Sequence, residues 1–337
     1  MLRLTCAFLA AMALAAPTPA ADAPDAPPAY GPMLEGYDYP YTLEHYRFMS
    51  QGAALDMAYL DVPPHRANGK VVVLLHGKNF CAATWAGTIA KLADAGYRVI
   101  APDQIGFCKS TKPENYQFTF AGLAANTHDL LKAAGVTRAI IMGHSMGGML
   151  AARYALIYPA DTEQLVMVDP LGLEDWKAKG VPEQSFDTLY QDQLKTTADS
   201  IRAYETATYY AGEWKPRYEP PVQMLAGMYR GPGKEIVAKN SAQTYQMIFD
   251  QPVVQEFPSL KMPVLLIVGD KDNSAPGKQY APPEVRAKLG NYPVLAKEAA
   301  ARIPHVKLVE FADLGHTPQI QDPAAFYKAL LEGLVKP

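Results

Sequence analysis

The sequence predicts an α/β fold: a mainly parallel, doubly wound sheet of about eight strands with a mostly helical insertion. Three observations carry this. Short apolar, β-branched runs alternate with helical stretches over residues 41–170 and are joined by short loops. The central runs do not alternate polar with apolar residues, which marks strands buried on both faces of a sheet. One run ends in Gly143-His144-Ser145-Met146-Gly147, where a strand turns directly into a helical pattern.

In chain order, Tyr41 to Ser50 and Leu55 to Val62 read as two strands of a hairpin, joined at Gln51-Gly52-Ala53-Ala54. Lys70 to Leu75 is a buried strand that ends in His76-Gly77-Lys78-Asn79-Phe80. A helix from about Thr84 to Ala95 stops at Gly96. Tyr97 to Ala101 is the next strand and runs into Pro102-Asp103. Phe118 to Ala134 is a helix stopped by Gly135, Ala139 to Met142 a strand, Ala151 to Tyr158 a helix ended by Pro159, and Leu165 to Val168 a strand. Strand logic then lapses. Residues 171–258, a stretch of about 88, carry polar helical patterns, Pro and Gly interruptions and eleven aromatics from Trp176 to Phe249. That is too long for a loop in a compact domain and reads as a helical cap inserted into the sheet domain. The sheet resumes in a second core part, residues 259–337. Pro263 to Gly269 is a strand, Glu284 to Arg302 is helical with a break near Asn291-Tyr292-Pro293, Val306 to Phe311 is the last strand and Phe326 to Leu334 the closing helix.

The ends and the charge balance set further bounds. Arg3 followed by the apolar run Leu4 to Ala16 reads as a signal peptide over residues 1–21, with Ala20-Ala21 as the cleavage point. The run is too short for a bilayer anchor, and Cys6 lies inside it rather than at its end. The expectation is an exported protein, periplasmic or secreted, without stable membrane association once the signal is removed. Residues 22–40, rich in Ala, Pro and Asp, read as a flexible leader. The net charge of −3 and the lack of a basic stripe speak against nucleic acid as a partner and leave a small-molecule substrate. No His cluster or Cys spacing suits a metal, and no organic cofactor is implied.

The Gly-x-Ser-x-Gly pentapeptide arises by chance roughly 0.1 times in a chain this long. Its strand–turn–helix setting raises its weight. The turn forces Ser145 into a strained backbone conformation at the sheet edge, and Gly143 and Gly147 leave room for strand and helix to pass. Here the chain resembles the α/β-hydrolase family and its serine-nucleophile, esterase-like branch with a cap. The resemblance implies Ser145 as nucleophile, followed in order by an acid and a His at strand ends. His316, in Ala312-Asp313-Leu314-Gly315-His316 past the last strand, fits the base. After Val264 to Gly269 two carboxylates compete; the family's Gly-x-x-Asp pattern favours Asp272 over Asp270, and Asp169 is a third candidate. Oxyanion donors are implied at the backbone N–H of Met146 and of Lys78, with Asn79 as the alternative to Lys78. His76 and His144 lie in loops where the backbone matters more. Asp103-x-x-Gly106-x-x-x-Ser110 resembles a family loop in which the Asp is structural. The expected strand order brings Cys81 and Cys108 to adjacent loops, which suggests a disulfide on the oxyanion side.

A Ser at the elbow excludes relatives that need Asp there, such as haloalkane dehalogenases and epoxide hydrolases. The leading expectation is hydrolysis of a carboxylic ester through an acyl-enzyme. Lactonase, amidase, prolyl aminopeptidase, C–C bond hydrolase and cofactor-free haloperoxidase activities use the same groups. A non-catalytic ligand-binding member of the fold is the alternative of a different class.

Overall fold

A computed structural model describes residues 27–336. The expected signal peptide therefore lies outside the described residues. One eight-stranded sheet runs through the molecule in the order β1-β2-β4-β3-β5-β6-β7-β8. Its strands are β1 (Leu43–Ser50), β2 (Ala53–Val62), β3 (Val71–Leu75), β4 (Arg98–Pro102), β5 (Ala139–His144), β6 (Thr162–Val168), β7 (Val264–Gly269) and β8 (Val306–Phe311). The β1–β2 hairpin and the β2–β4 pair are antiparallel. Every pair from β4 through β8 is parallel, as the unbroken apolar runs required.

Helices cover both faces. They are α1 (Ala86–Asp94), α2 (Phe120–Ala133), α3 (Met146–Ile157), then α4 (Phe186–Leu194), α5 (Ala198–Thr208), α6 (Glu219–Arg230) and α7 (Lys234–Asp250) between β6 and β7, and finally α8 (Pro283–Arg286), α9 (Tyr292–Arg302), α10 (Pro318–Gln321) and α11 (Pro323–Gly333). Successive strand residues point to opposite faces. Val72 and Leu74 pack with Ile89 and Leu92 of α1 and with Phe326 and Leu330 of α11. Val73 and Leu75 join Leu123 and Leu130 of α2, Leu150 and Tyr154 of α3 and Leu295 of α9. Gly96 and Gly135, expected as stops, take left-handed φ of 94° and 73° just past α1 and α2.

Two expectations need correction. The helix after the elbow begins at Met146 rather than Ala151. Gly147 and Gly148 lower local helix propensity and hide the start, but the short turn leaves the chain nowhere else to go. Residues 27–40, expected as flexible leader, are docked. Tyr30 N–H bonds Gly227 O at 2.9 Å, Arg230 Nε–H bonds Pro28 O at 2.7 Å, Leu34 is fully buried, and Tyr39 O–H bonds Asp103 Oδ2 at 2.6 Å. The aromatics Tyr30, Tyr37 and Tyr39 stack edge-to-face along this stretch and anchor an otherwise Pro-rich segment.

The helices between β6 and β7 hold a buried acid, Glu205 of α5. Burial, and after it the charge of Glu219, pushes its carboxyl up to about 8. The folded protein thus keeps a proton that the unfolded chain releases near its ordinary value of about 4.3. The stabilisation from the neutral form is complete below that value, shrinks as pH rises and is gone above about 8. Glu205→Gln, which cannot ionise, is expected to melt at about the wild-type temperature near pH 4.5 and above it at pH 9. Thermal melts at the two pH values check this; an equal gap at both contradicts it.

Candidate active site

Ser145 sits between β5 and α3 with φ 59° and ψ −123°, a region that side-chain-bearing residues avoid. The backbone around it is locked. Ser145 N–H donates to Val168 O at 3.1 Å, and Ser145 O accepts from Gly148 at 2.9 Å and from Leu171 at 3.1 Å. A Cβ at Gly143 would overlap the carbonyl of Gly147, and one at Gly147 would overlap the carbonyl of Leu75. No side chain fits at either position, which is why the pentapeptide carries glycine there.

The structure brings Asp272 and His316 into direct contact. His316 Nδ1–H donates to Asp272 Oδ2 at 2.6 Å, with both side chains fully buried. The other carboxylate oxygen of Asp272 accepts from Ser274 N–H at 2.8 Å. His316 Nε2 has no partner among the described residues. Ser145 and His316 line one cavity of about 260 Å3, together with Lys78 and Asn79. An imidazole oriented by a carboxylate, its second nitrogen free and a serine on the same wall, is equipped to take a proton from a hydroxyl.

Asp270 does not bond His316; its amide is tied to Phe311 O at 2.9 Å. Asp169 lies at the end of β6 with φ 38° and accepts from Gly269 N–H at 2.7 Å. Burial, then the charge of Asp272, pushes its carboxyl well above the usual range. Gly77 packs against Ser145: a Cβ there would lie 3.0 Å from Ser145 Cβ. The backbone N–H groups of Met146 and Lys78 have no acceptor among the described residues, as donors to a substrate oxygen require. Asp103 holds its loop as expected, accepting from Ala82 N–H at 2.8 Å and Lys109 N–H at 3.0 Å.

Sequence reasoning missed three features. His144 acts through its side chain: Nε2–H donates to His316 O at 2.7 Å and pins the loop that carries the imidazole. Burial, then the neighbouring His316, pushes its ring well below the ordinary histidine range, so it stays neutral. His76 likewise ties two loops, donating from Nδ1 to Gly77 O at 2.8 Å and accepting at Nε2 from Gln104 N–H at 3.0 Å. Tyr209, at the end of α5, stacks on His316 with ring centroids 4.4 Å apart and accepts the His316 amide on its carbonyl at 2.9 Å. The neighbouring glycines marked the first two positions in the sequence. Nothing local marked Tyr209.

The expected Cys81–Cys108 disulfide is not formed: both are buried free thiols. Their loops are adjacent as anticipated, but the thiols turn to different partners, Met224 Sδ at 3.1 Å and Phe80 O at 3.5 Å. With Asp103 they come within 4.8 Å of one another. The Asp103 oxygens are already taken by three donors, so this trio is a poor cation site. Among the described residues no helix is long and apolar enough to cross a membrane.

A parallel sheet with a strained serine after its fifth strand and an Asp–His pair after its last two defines a hydrolase architecture. The chain belongs to the alpha/beta hydrolase fold family, whose model matches residues 70–323. A crystal structure of a probable hydrolytic enzyme from Pseudomonas aeruginosa PAO1 is 62% identical, covering 92% of this chain and 99% of that one, with a TM-score of 0.91. Lipase 1 of Psychrobacter immobilis is 28% identical over 290 residues, 82% of either chain. Lipase 3 of Moraxella sp. (strain TA144) is 28% identical over 278 residues, 80% of this chain and 79% of its own. The protein is a hydrolase of this fold.

Proposed function

We propose that this hydrolase is an exported serine esterase that cleaves a carboxylic ester of a small to medium, largely hydrophobic substrate through an acyl-enzyme. The observation that carries the reading is the backbone of Ser145, φ 59° and ψ −123°, held at the wall of the cavity that His316 shares. Strain of this kind persists where function requires it.

Ser145 Oγ attacks the ester carbonyl while His316 Nε2 takes its proton. Asp272 holds the ring in the tautomer with Nδ1–H and stabilises the imidazolium. The amides of Met146 and Lys78 receive the developing oxyanion. His316 returns the proton to the leaving alcohol, and a water activated by the same ring releases the acid. Residues 171–258 serve as the cap: Tyr204, Tyr209, Tyr229 and Tyr245 from that stretch line the cavity, while Trp176, Tyr210 and Tyr218 are buried in packing. The cavity lies at the small end of ligand pockets, which suits short acyl or alcohol groups. The two lipases among the relatives favour an ester over a lactone or amide. Export rests on the N-terminal pattern of residues 1–21.

Wild type and Ser145→Ala should be compared on short p-nitrophenyl esters, lactones, amides and aminoacyl-proline substrates. Turnover of the esters that vanishes with Ser145, and a fluorophosphonate adduct on the Ser145 peptide, are expected. Ester hydrolysis of equal rate in both proteins removes the mechanism, and binding without any turnover favours a receptor-like member of the fold.

A further inference from the structure

The cavity wall carries an unusual charge. Apart from His316, Lys78 is its one ionisable acid–base side chain other than tyrosine, and no Asp or Glu lines it among the described residues. The Lys78 ammonium donates to Ser241 Oγ of α7. Ser241 passes that bond on to Gln193 Oε1 at 2.7 Å, and Gln193 Oε1 also accepts from Tyr229 O–H at 2.9 Å. All these partners are neutral. An ammonium has three donors, and Lys78 spends one of them in the protein.

Lys112, which lines a second, smaller cavity together with Lys78, spends more of its donors in the protein. Its Nζ donates to Cys108 O at 2.7 Å and Ser110 O at 3.3 Å, and burial, offset in part by Cys108, Asp103 and Glu35, lowers its ammonium to about 8. Lys78, half-buried on the cavity wall, is lowered by desolvation to the same value of about 8, and no carboxylate stands against it. A desolvated cation without a counter-charge is costly and is ordinarily paired. Among the described residues Lys78 keeps two donors free on the cavity wall.

We propose that Lys78 Nζ recognises a free carboxylate on the substrate, so that the preferred substrate is an ester bearing one carboxylate, anchored at Lys78 while its ester carbonyl meets Ser145. Asn79 and Ser241 stand beside Lys78 on the same wall and offer further hydrogen bonds to that carboxylate. The rest of the lining, Leu171, Ile201, Leu225 and Ile248, suits a short aliphatic spacer. The substrate class rests on reading this cavity as the acyl-transfer site. The charge preference does not, and binding can be measured without chemistry.

The test is calorimetric titration of Ser145→Ala protein with monomethyl esters of succinate, glutarate and adipate, against the matching dimethyl esters. A monoester is expected to bind about 10–100-fold more tightly than its diester, the range of a charge-assisted hydrogen bond in a partly dry site. Adding Lys78→Met should erase that preference, and Lys78→Arg should restore part of it. Raising the pH from 7 to 9 should weaken monoester binding and leave diester binding alone, because Lys78 loses its charge over that range. An O-acetyl hydroxy acid, run in parallel, tells whether the carboxylate belongs on the acyl or the alcohol side. Equal affinities for monoester and diester with Lys78 present overturn the proposal, as does a Lys78→Met effect of the same size on both. Lys78-dependent binding in a wild-type protein that turns over no ester upholds the anion site while removing the esterase reading.

Discussion

Ser145→Ala is expected to lower kcat on a short p-nitrophenyl ester by about 10^4–10^6-fold, the range found when a triad nucleophile is removed. The variant should stay folded, because an alanine can adopt the backbone that Ser145 occupies at the same cost and the bonds from Val168, Gly148 and Leu171 involve only main chain. Ser145→Gly separates strain from chemistry. Glycine adopts φ 59°, ψ −123° more freely, and relief of a strained residue is worth about 1–3 kcal/mol. Its melting temperature should rise by about 1–4 °C in a protein this large while activity stays lost. Steady-state kinetics with thermal melts of the three proteins decide the matter. Retention of more than about a hundredth of wild-type kcat in Ser145→Ala would place the nucleophile elsewhere.

Asp272→Asn should cost about 10^4-fold in kcat with little change in KM. An asparagine amide facing His316 Nδ1 favours the ring tautomer with its proton on Nε2, which leaves no lone pair to receive the serine proton. Asp169 offers no rescue. It is buried and bonded to Gly269, and burial and the charge of Asp272 push its carboxyl well above the usual range. The double variant Asp169→Asn/Asp272→Asn should therefore lose no more than the single Asp272→Asn. A loss below about 100-fold in Asp272→Asn that deepens when Asp169 is also changed would make the two carboxylates interchangeable.

The parts of the fold that could be read from the sequence are those with local causes. Val71–Leu75 and Val264–Gly269 announce themselves as apolar runs rich in β-branched residues, Val306–Phe311 interleaves apolar residues with Lys307 and Glu310, and Gly96 and Gly135 mark helix ends because left-handed φ is a local demand. The elbow could be read because its steric squeeze acts over five residues. The pairing of Asp272 with His316 was anticipated from the resemblance to a family whose acid follows a Gly-x-x-Asp pattern and whose His follows the last strand. What stayed hidden depends on what arrives from far along the chain. The cavity lining draws on α4 to α7 at spacings set by packing rather than by pattern. The docking of Tyr30 against α6 joins residues about 200 apart in sequence. The directions taken by the thiols of Cys81 and Cys108 depend on Met224 and Phe80, which no spacing rule connects to them. The side-chain duty of His144 likewise exists only once residue 316 has come home.

That last contact spans 172 positions, and Asp272 meets His316 across another 44. The elbow is made by β3, β5 and β6, whereas its partners hang from β7 and β8 at the far edge of the sheet. No partial assembly of this chain holds the reacting groups together. On the proposed mechanism, a ribosome-bound chain that has yet to release β8 has the elbow but not His316, and a clip between β7 and β8 that lets the last strand leave would abolish turnover. On that mechanism turnover reads out complete folding, and its recovery during refolding should trail recovery of helical circular dichroism and coincide with closure of the last strand.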